Sequence, residues 1–196
     1  MAKRVLLGSV LGGVVIFFWG FLYWAMLSVV ISPWHSIPEK GDPNVVATLD
    51  KAFPESGVYQ YPWVDTSKGD QPNLEKDFER QRQEGPFIQV FFHKGKPNPM
   101  GQTMATGFVH MWISALICSA LLWAAQPFCC YSARVAFVTG LGFFATVWIQ
   151  FGNTIWWHYP TSNAFFFSAY DLGAWVLAGL VIGAVVKESP ESQQAK

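Results

Sequence analysis

Charge is scarce in this chain: 13% of its residues are charged, against roughly 25% in an ordinary soluble domain. The shortage is not even. Of thirteen acidic residues, ten fall between Glu39 and Glu84, and of thirteen basic residues, eight fall between Lys40 and Lys96. Long tracts elsewhere carry almost none. The net charge is zero, which removes the basic field that a nucleic-acid-binding chain needs. Cysteine is also sparse, at Cys118, Cys129 and Cys130. No CxxC or Cys/His spacing occurs, so a zinc-ribbon site is excluded. None of the three lies in the polar middle of the chain, so any fold there forms without disulfides. Adjacent cysteines such as Cys129 and Cys130 match the geometry of a mutual bridge poorly. No stretch carries a nucleotide, catalytic or metal motif of high specificity, so nothing argues for an enzyme.

What the chain has instead is apolar length. Four stretches, Val5–Ile31, Met104–Ala125, Val135–Trp157 and Ala164–Val186, are long and almost uncharged. Each exceeds the roughly 20 residues that a helix needs to cross a bilayer core of about 30 Å. Lys3 and Arg4 before the first stretch resemble the start of a signal peptide, but that stretch is far longer than the roughly 7–15 residues of a signal core. It ends in Ser32-Pro33-Trp34, with no small-x-small cleavage site, which favours a retained anchor. The expected fold class is an all-α polytopic membrane protein: four transmembrane helices and a small extracytoplasmic α+β insert. Residues 1–31 form the N-terminus and first helix, 32–103 the insert, 104–186 the remaining helices and 187–196 a polar tail.

Basic residues near helix ends set orientation. Lys3 and Arg4, Arg134 between helices two and three, and Lys187 after helix four share one side of a four-crossing chain. That side reads as cytoplasmic, with both termini on it. The insert is long enough to escape the charge rule. Within it, Asp42-Pro43 reads as an N-cap and first helical position, with Val45, Val46 and Leu49 at helical spacing until Pro54. Val58–Tyr61 and Phe87–Phe92 read as strands that pair into a ribbon. Asn73–Gln83 reads as a short charged helix.

Small residues at four-residue spacing let helices approach closely. Gly8 and Gly12 on the first helix and Gly179 and Gly183 on the fourth have that spacing, either for packing within the chain or for contact with another. Gly140 and Gly142 add to it on the third. Aromatics gather toward the insert end of the helices: Tyr23, Trp24, Trp34, Trp156, Trp157, Tyr159 and Phe165–Phe167. Their expected role is a belt at the membrane–water interface, with quinone or pigment stacking as the alternative.

The candidate site is polar. Asp171 is the one carboxylate inside an apolar stretch, and an ionisable group there is a functional candidate by default. His110, His158, Asn153 and Gln150 reach a comparable level and are its candidate partners. Thr106, His110, Ser114 and Cys118 form an i+4 stripe that is expected to face protein, because polar groups facing lipid are costly. Three readings follow. The set is a structural network fixing helix register; or a redox pocket in which His110 and His158 ligate haem or a metal, or quinone binds nearby; or a proton or solute path through Asp171 and His110.

The first helix running into Ser32-Pro33-Trp34-His35, the Pro54–Tyr59 segment and the run from Asp171-Leu172-Gly173-Ala174-Trp175 to Leu180 resemble a bacterial family of uncharacterised four-helix inner-membrane proteins. The resemblance spans most of the chain. It implies bacterial origin and the four-helix topology, and no established activity. The expected function is therefore non-catalytic: an accessory, assembly or stabilising subunit of a larger membrane complex. Its expected partners are the lipid bilayer and other membrane subunits, with no nucleic acid. No cofactor is expected on this reading. The alternatives are a small redox subunit that binds haem or quinone in the outer leaflet, and a small solute or proton carrier.

Overall fold

The computed structural model describes residues 2–37, 43–64 and 72–187. Within these, the apolar stretches form four helices long and apolar enough to cross a membrane: Ala2–Leu27, Met100–Ala124, Tyr131–Trp157 and Thr161–Val185. Three of them begin before the apolar run does. Met100, Tyr131 and Thr161 precede Met104, Val135 and Ala164 because each helix starts where its backbone is released from an extended residue. Pro99, Cys130 and Pro160 hold those extended positions. Proline fixes its own φ and disfavours helix at the residue before it, so it sets a helix start regardless of hydropathy.

The first span is α1 (Ala2–Leu22), a π-helical turn (Tyr23–Leu27) and α2 (Ser28–Ile31). The second is α5 (Met100–Ala124). The third is α6 (Tyr131–Thr146), a second π-helical turn (Val147–Phe151) and α7 (Gly152–Trp157). The fourth is α8 (Thr161–Val185). In cross-section α1 packs on α5 and α8, and α8 packs on α6, whereas α5 and α6 barely meet although a short loop joins them. The third span accordingly has the smallest buried share, 17%, and the first and fourth the largest, 33%.

Glycine makes the central contacts possible. A Cβ on Gly8 would come within 2.6 Å of Val186, and one on Gly12 within 2.9 Å of Ile182. Gly179 and Gly183 face Thr139 and Val135 of α6. All four glycines therefore lie against this chain's own helices. Gly142 receives the root of the Trp175 side chain, while Gly140 has open space beside it. The core so formed contains Ile16, Ala115, Leu122, Val138, Ala178 and Ile182.

The basic end of the bundle is tied together by side chains that cap α8. A helix leaves its last carbonyls without intrahelical partners, and cations there are favoured. Arg134 Nε donates to the Gly183 carbonyl at 2.8 Å, Tyr131 Oη to Leu180 at 2.9 Å and Gln126 Nε2 to Val186 at 3.3 Å. Arg4 donates to the Lys187 carbonyl. Arg4, Arg134 and Lys187 thus share one end of the bundle.

The insert, His35–Asn98, is a separate compact unit. It holds α3 (Pro43–Ala52), β1 (Gly57–Tyr61), α4 (Pro72–Glu84) and β2 (Ile88–Phe92). The expected N-cap Asp42 lies outside the described residues. The strands pair antiparallel, from Gly57 opposite Phe92 to Tyr61 opposite Ile88. A two-stranded ribbon is marginal alone; here Phe53, just after α3, stacks on Tyr59 at 4.2 Å and meets Phe92 at 5.2 Å. Lys94 fastens the return strand, with Nζ 2.7 Å from the Asp50 carboxylate and its backbone N–H on Ser56 Oγ at 2.8 Å.

Candidate functional site

Asp171 stands ten residues past the start of α8, about 15 Å along the axis, and is half-buried. Gln150 Nε2 donates to its Oδ2 at 2.9 Å. Gln150 comes from the π-helical turn Val147–Phe151. Such a turn inserts one residue into the helical register and recurs at functional sites. Thr154 Oγ1 donates to the Gln150 carbonyl at 3.2 Å, so the altered backbone is satisfied locally.

Tyr170, next to Asp171, faces α1 rather than α6. Its carbonyl accepts from Trp19 Nε1 at 2.8 Å, and its ring meets that of Trp24 edge-on with centroids 5.8 Å apart. Tyr23 completes this seam: its hydroxyl donates to the Phe166 carbonyl at 2.7 Å, and it is 2% exposed. Tyr23 and Phe166 are therefore interior, whereas Trp156 is 76% exposed. Part of the expected aromatic belt is a buried clamp between α1 and α8. The reason is the hydroxyl: Tyr23 donates to the Phe166 carbonyl on α8 and so can be buried at little cost. This seam is the feature that sequence reasoning missed. Its signal was a Trp19/Tyr23 pair at i+4 on one helix and Phe166/Tyr170 at the same spacing on another. Beside it, a cavity of about 550 Å³ opens between α1 and α5, lined by Phe17, Phe21, Met104, Gly107 and Met111 and reached by Tyr170.

The other expected members are placed elsewhere. His110 also stands ten residues into its helix. It is exposed, and its ring has no hydrogen-bond partner among the described residues. The stripe containing it is split. Thr106 and His110 are exposed, as is neighbouring Thr103, whereas Ser114 is half-buried and Cys118 is in the core. The threonine hydroxyls bond within their own helix, Thr106 to the Gln102 carbonyl at 2.9 Å and Thr103 to Pro99 at 3.4 Å. Ser114 bonds to the His110 carbonyl at 3.0 Å. These hydroxyls are satisfied; the imidazole is not. His158 is exposed at the end of α7 in the left-handed conformation (φ 56°), and Asn153 contributes its carbonyl to that cap, accepting the Tyr159 N–H at 3.2 Å. Of the five polar residues, the structure joins Gln150 to Asp171. Among the described residues no group of three or more His, Cys, Asp or Glu lies close enough to hold a metal ion.

The described residues thus define four apolar, membrane-length helices, an interhelical carboxylate–amide pair at Asp171 and Gln150, and an exposed histidine, His110, part-way along α5. No family model, curated protein or solved structure matches the chain, so these residues alone carry the functional argument.

Proposed function

We propose that the protein is a multi-pass, non-catalytic subunit of a bacterial inner-membrane complex, both termini cytoplasmic, that docks on another membrane protein through the outward face of α5. The observation that supports this is His110. Histidine inside a membrane span almost always turns to the bundle interior or a wet cavity. Here it turns away from its own bundle, on a face it shares with Thr103 and Thr106. A partner helix that offers a hydrogen bond removes the cost of placing that imidazole in hydrocarbon. The gathering of Arg4, Arg134 and Lys187 at one end supports the orientation, since basic residues favour the cytoplasmic side. The Asp171–Gln150 pair serves in this reading to fix α6 against α8.

His110→Leu is the discriminating variant. It suits lipid better than histidine, so the isolated protein in mild detergent is expected to be at least as stable as wild type. Affinity purification from native membranes is expected to recover stoichiometric partners with wild type and about tenfold less with the variant, the factor that about 1.4 kcal/mol represents. Equal partner recovery would refute the docking role of this face.

A proton or solute path is the second reading, favoured by Asp171 lying half-buried beside a π-helical turn. Proteoliposomes decide it: Asp171→Asn abolishes flux if the carboxylate carries protons or cations, and leaves the vesicles indistinguishable from wild type if the pair is structural.

A further inference from the structure

The loop between α5 and α6 ends in Cys129 and Cys130, both exposed. Their sulfurs are 3.3 Å apart. Cys130 is the residue that precedes the first turn of α6, where backbone N–H groups have no intrahelical acceptor. Its sulfur lies 3.1 Å from Ser132 Oγ. The helix N-terminus and the Ser132 hydroxyl favour a negatively charged sulfur. Cys129 lacks the serine contact and faces its neighbour's sulfur. The two thiols are therefore chemically unequal, adjacent and open.

We infer that Cys129 and Cys130 form a reversible thiol-modification site whose substrate class is the low-molecular-weight disulfide, with Cys130 the attacking thiol and Cys129 the resolving one. In the first step the Cys130 thiolate attacks one sulfur of RSSR. The S–S bond of the reagent breaks, RS⁻ leaves and is protonated, and Cys130 carries SR. In the second step Cys129, as thiolate, attacks the Cys130 sulfur, expels the second RS⁻ and closes a Cys129–Cys130 disulfide. The pair loses two electrons and two protons; RSSR becomes two RSH. Adjacent Cα atoms are about 3.8 Å apart across a trans peptide, shorter than the usual disulfide range of about 4.4–6.8 Å. The closed ring is therefore strained and readily reduced again, as labile and regulatory disulfides are. The poor bridging geometry of neighbouring cysteines is what makes this pair a switch rather than a staple.

The position gives the switch a target. Gln126, Tyr131 and Arg134 flank the cysteines and cap the end of α8. A ring closed at Cys129–Cys130 changes the backbone between Gln126 and Tyr131, so it acts on the clasp that holds α6 and α8 together at the basic end.

The ionisation order agrees with the assigned roles. The Ser132 side chain, and after it the backbone at Ala133, brings the Cys130 thiol down from 9.0 to about 7. Cys129 is pushed up, chiefly by its hydrogen bond with Cys130. The thiol of lower pKa attacks first near neutral pH.

The test uses the full-length protein in detergent micelles, with oxidised glutathione and iodoacetamide as probes and peptide mass spectrometry as the readout. Cys130 is expected to alkylate with a midpoint near pH 7, and Cys129 only at higher pH. Cys118, buried in the core, stays unlabelled while the protein is folded and reports that it is. With oxidised glutathione, wild type is expected to finish as the species lacking two hydrogens. Cys129→Ser stops at a glutathione adduct on Cys130, and Cys130→Ser reacts at least about tenfold more slowly. Ser132→Ala moves the Cys130 midpoint toward the ordinary thiol range of about 8.5. Equal rates for wild type and Cys130→Ser, or an adduct that forms first on Cys129, would overturn the assignment. A wild-type adduct that never resolves would overturn the second step.

Discussion

Gly142→Ala is expected to destabilise the protein by about 2–3 kcal/mol, the upper part of the range for overpacking a filled core. A methyl there would sit inside van der Waals distance of Trp175 Cβ, Cγ and Cδ1. These atoms are the root of the side chain, so no rotamer change clears them. Relief needs α6 and α8 to separate, which would also pull Val138 and Ala178 out of contact. Gly140→Ala is the internal control. Two residues away on the same helix, it meets nothing within 4 Å, and alanine is the better helix former by about 0.5–1 kcal/mol. It is expected to leave stability unchanged or slightly raised. Reversible unfolding in mixed detergent micelles measures both. Trp175→Leu is expected to recover part of the Gly142→Ala loss, because it removes the indole that the methyl meets. Equal behaviour of the two alanine variants would mean that α6 does not pack on α8 as described.

Gln150→Leu should have the next largest effect. It removes the amide that donates to Asp171 Oδ2 and leaves a half-buried carboxylate without that donor. A polar group stripped of its partner in a buried setting costs about 1–3 kcal/mol, more for a charged one, while interhelical hydrogen bonds measured in a membrane protein average about 0.6 and reach about 1.7 kcal/mol. The expected loss is therefore about 1–2 kcal/mol, by the balance of those two scales. Asp171→Asn keeps an acceptor in place and is expected to lose under about 0.5 kcal/mol, within the range of a minor substitution. The double variant Gln150→Leu/Asp171→Leu replaces both partners with apolar groups and is expected to recover most of the single loss. Additive losses in that cycle would show that the two side chains do not interact.

Much of this architecture is written in hydropathy. The four spans need only length and an absence of charge to be seen, and Asp171 stands out because its surroundings carry no other carboxylate. The ribbon was legible because Val58–Tyr61 and Phe87–Phe92 are rich in β-branched and aromatic residues between turn signals. Helix starts were less legible, since Pro99, Cys130 and Pro160 act through backbone geometry and hydropathy does not record it. The partner of Asp171 could be narrowed to a few polar residues and no further. A π-helical turn at Val147–Phe151 shifts the register of that helix, and periodicity of 3.6 cannot anticipate the shift. The stripe from Thr106 to Cys118 has one sequence pattern but two environments. α5 packs on α1 alone along much of its length, so its outer residues are exposed while Cys118 is buried. Tyr23 shows the reverse: an aromatic with a polar tip reads as interfacial until a carbonyl on a neighbouring helix is seen to accept it.

The most direct measurement of the docking claim is site-specific photo-crosslinking in native membranes, with the crosslinker placed at His110 and, as a control, at Phe144, which is 67% exposed on α6. One discrete protein adduct is expected from position 110 and none from position 144. Lipid adducts alone from position 110, in membranes where the protein is folded, would contradict the docking claim.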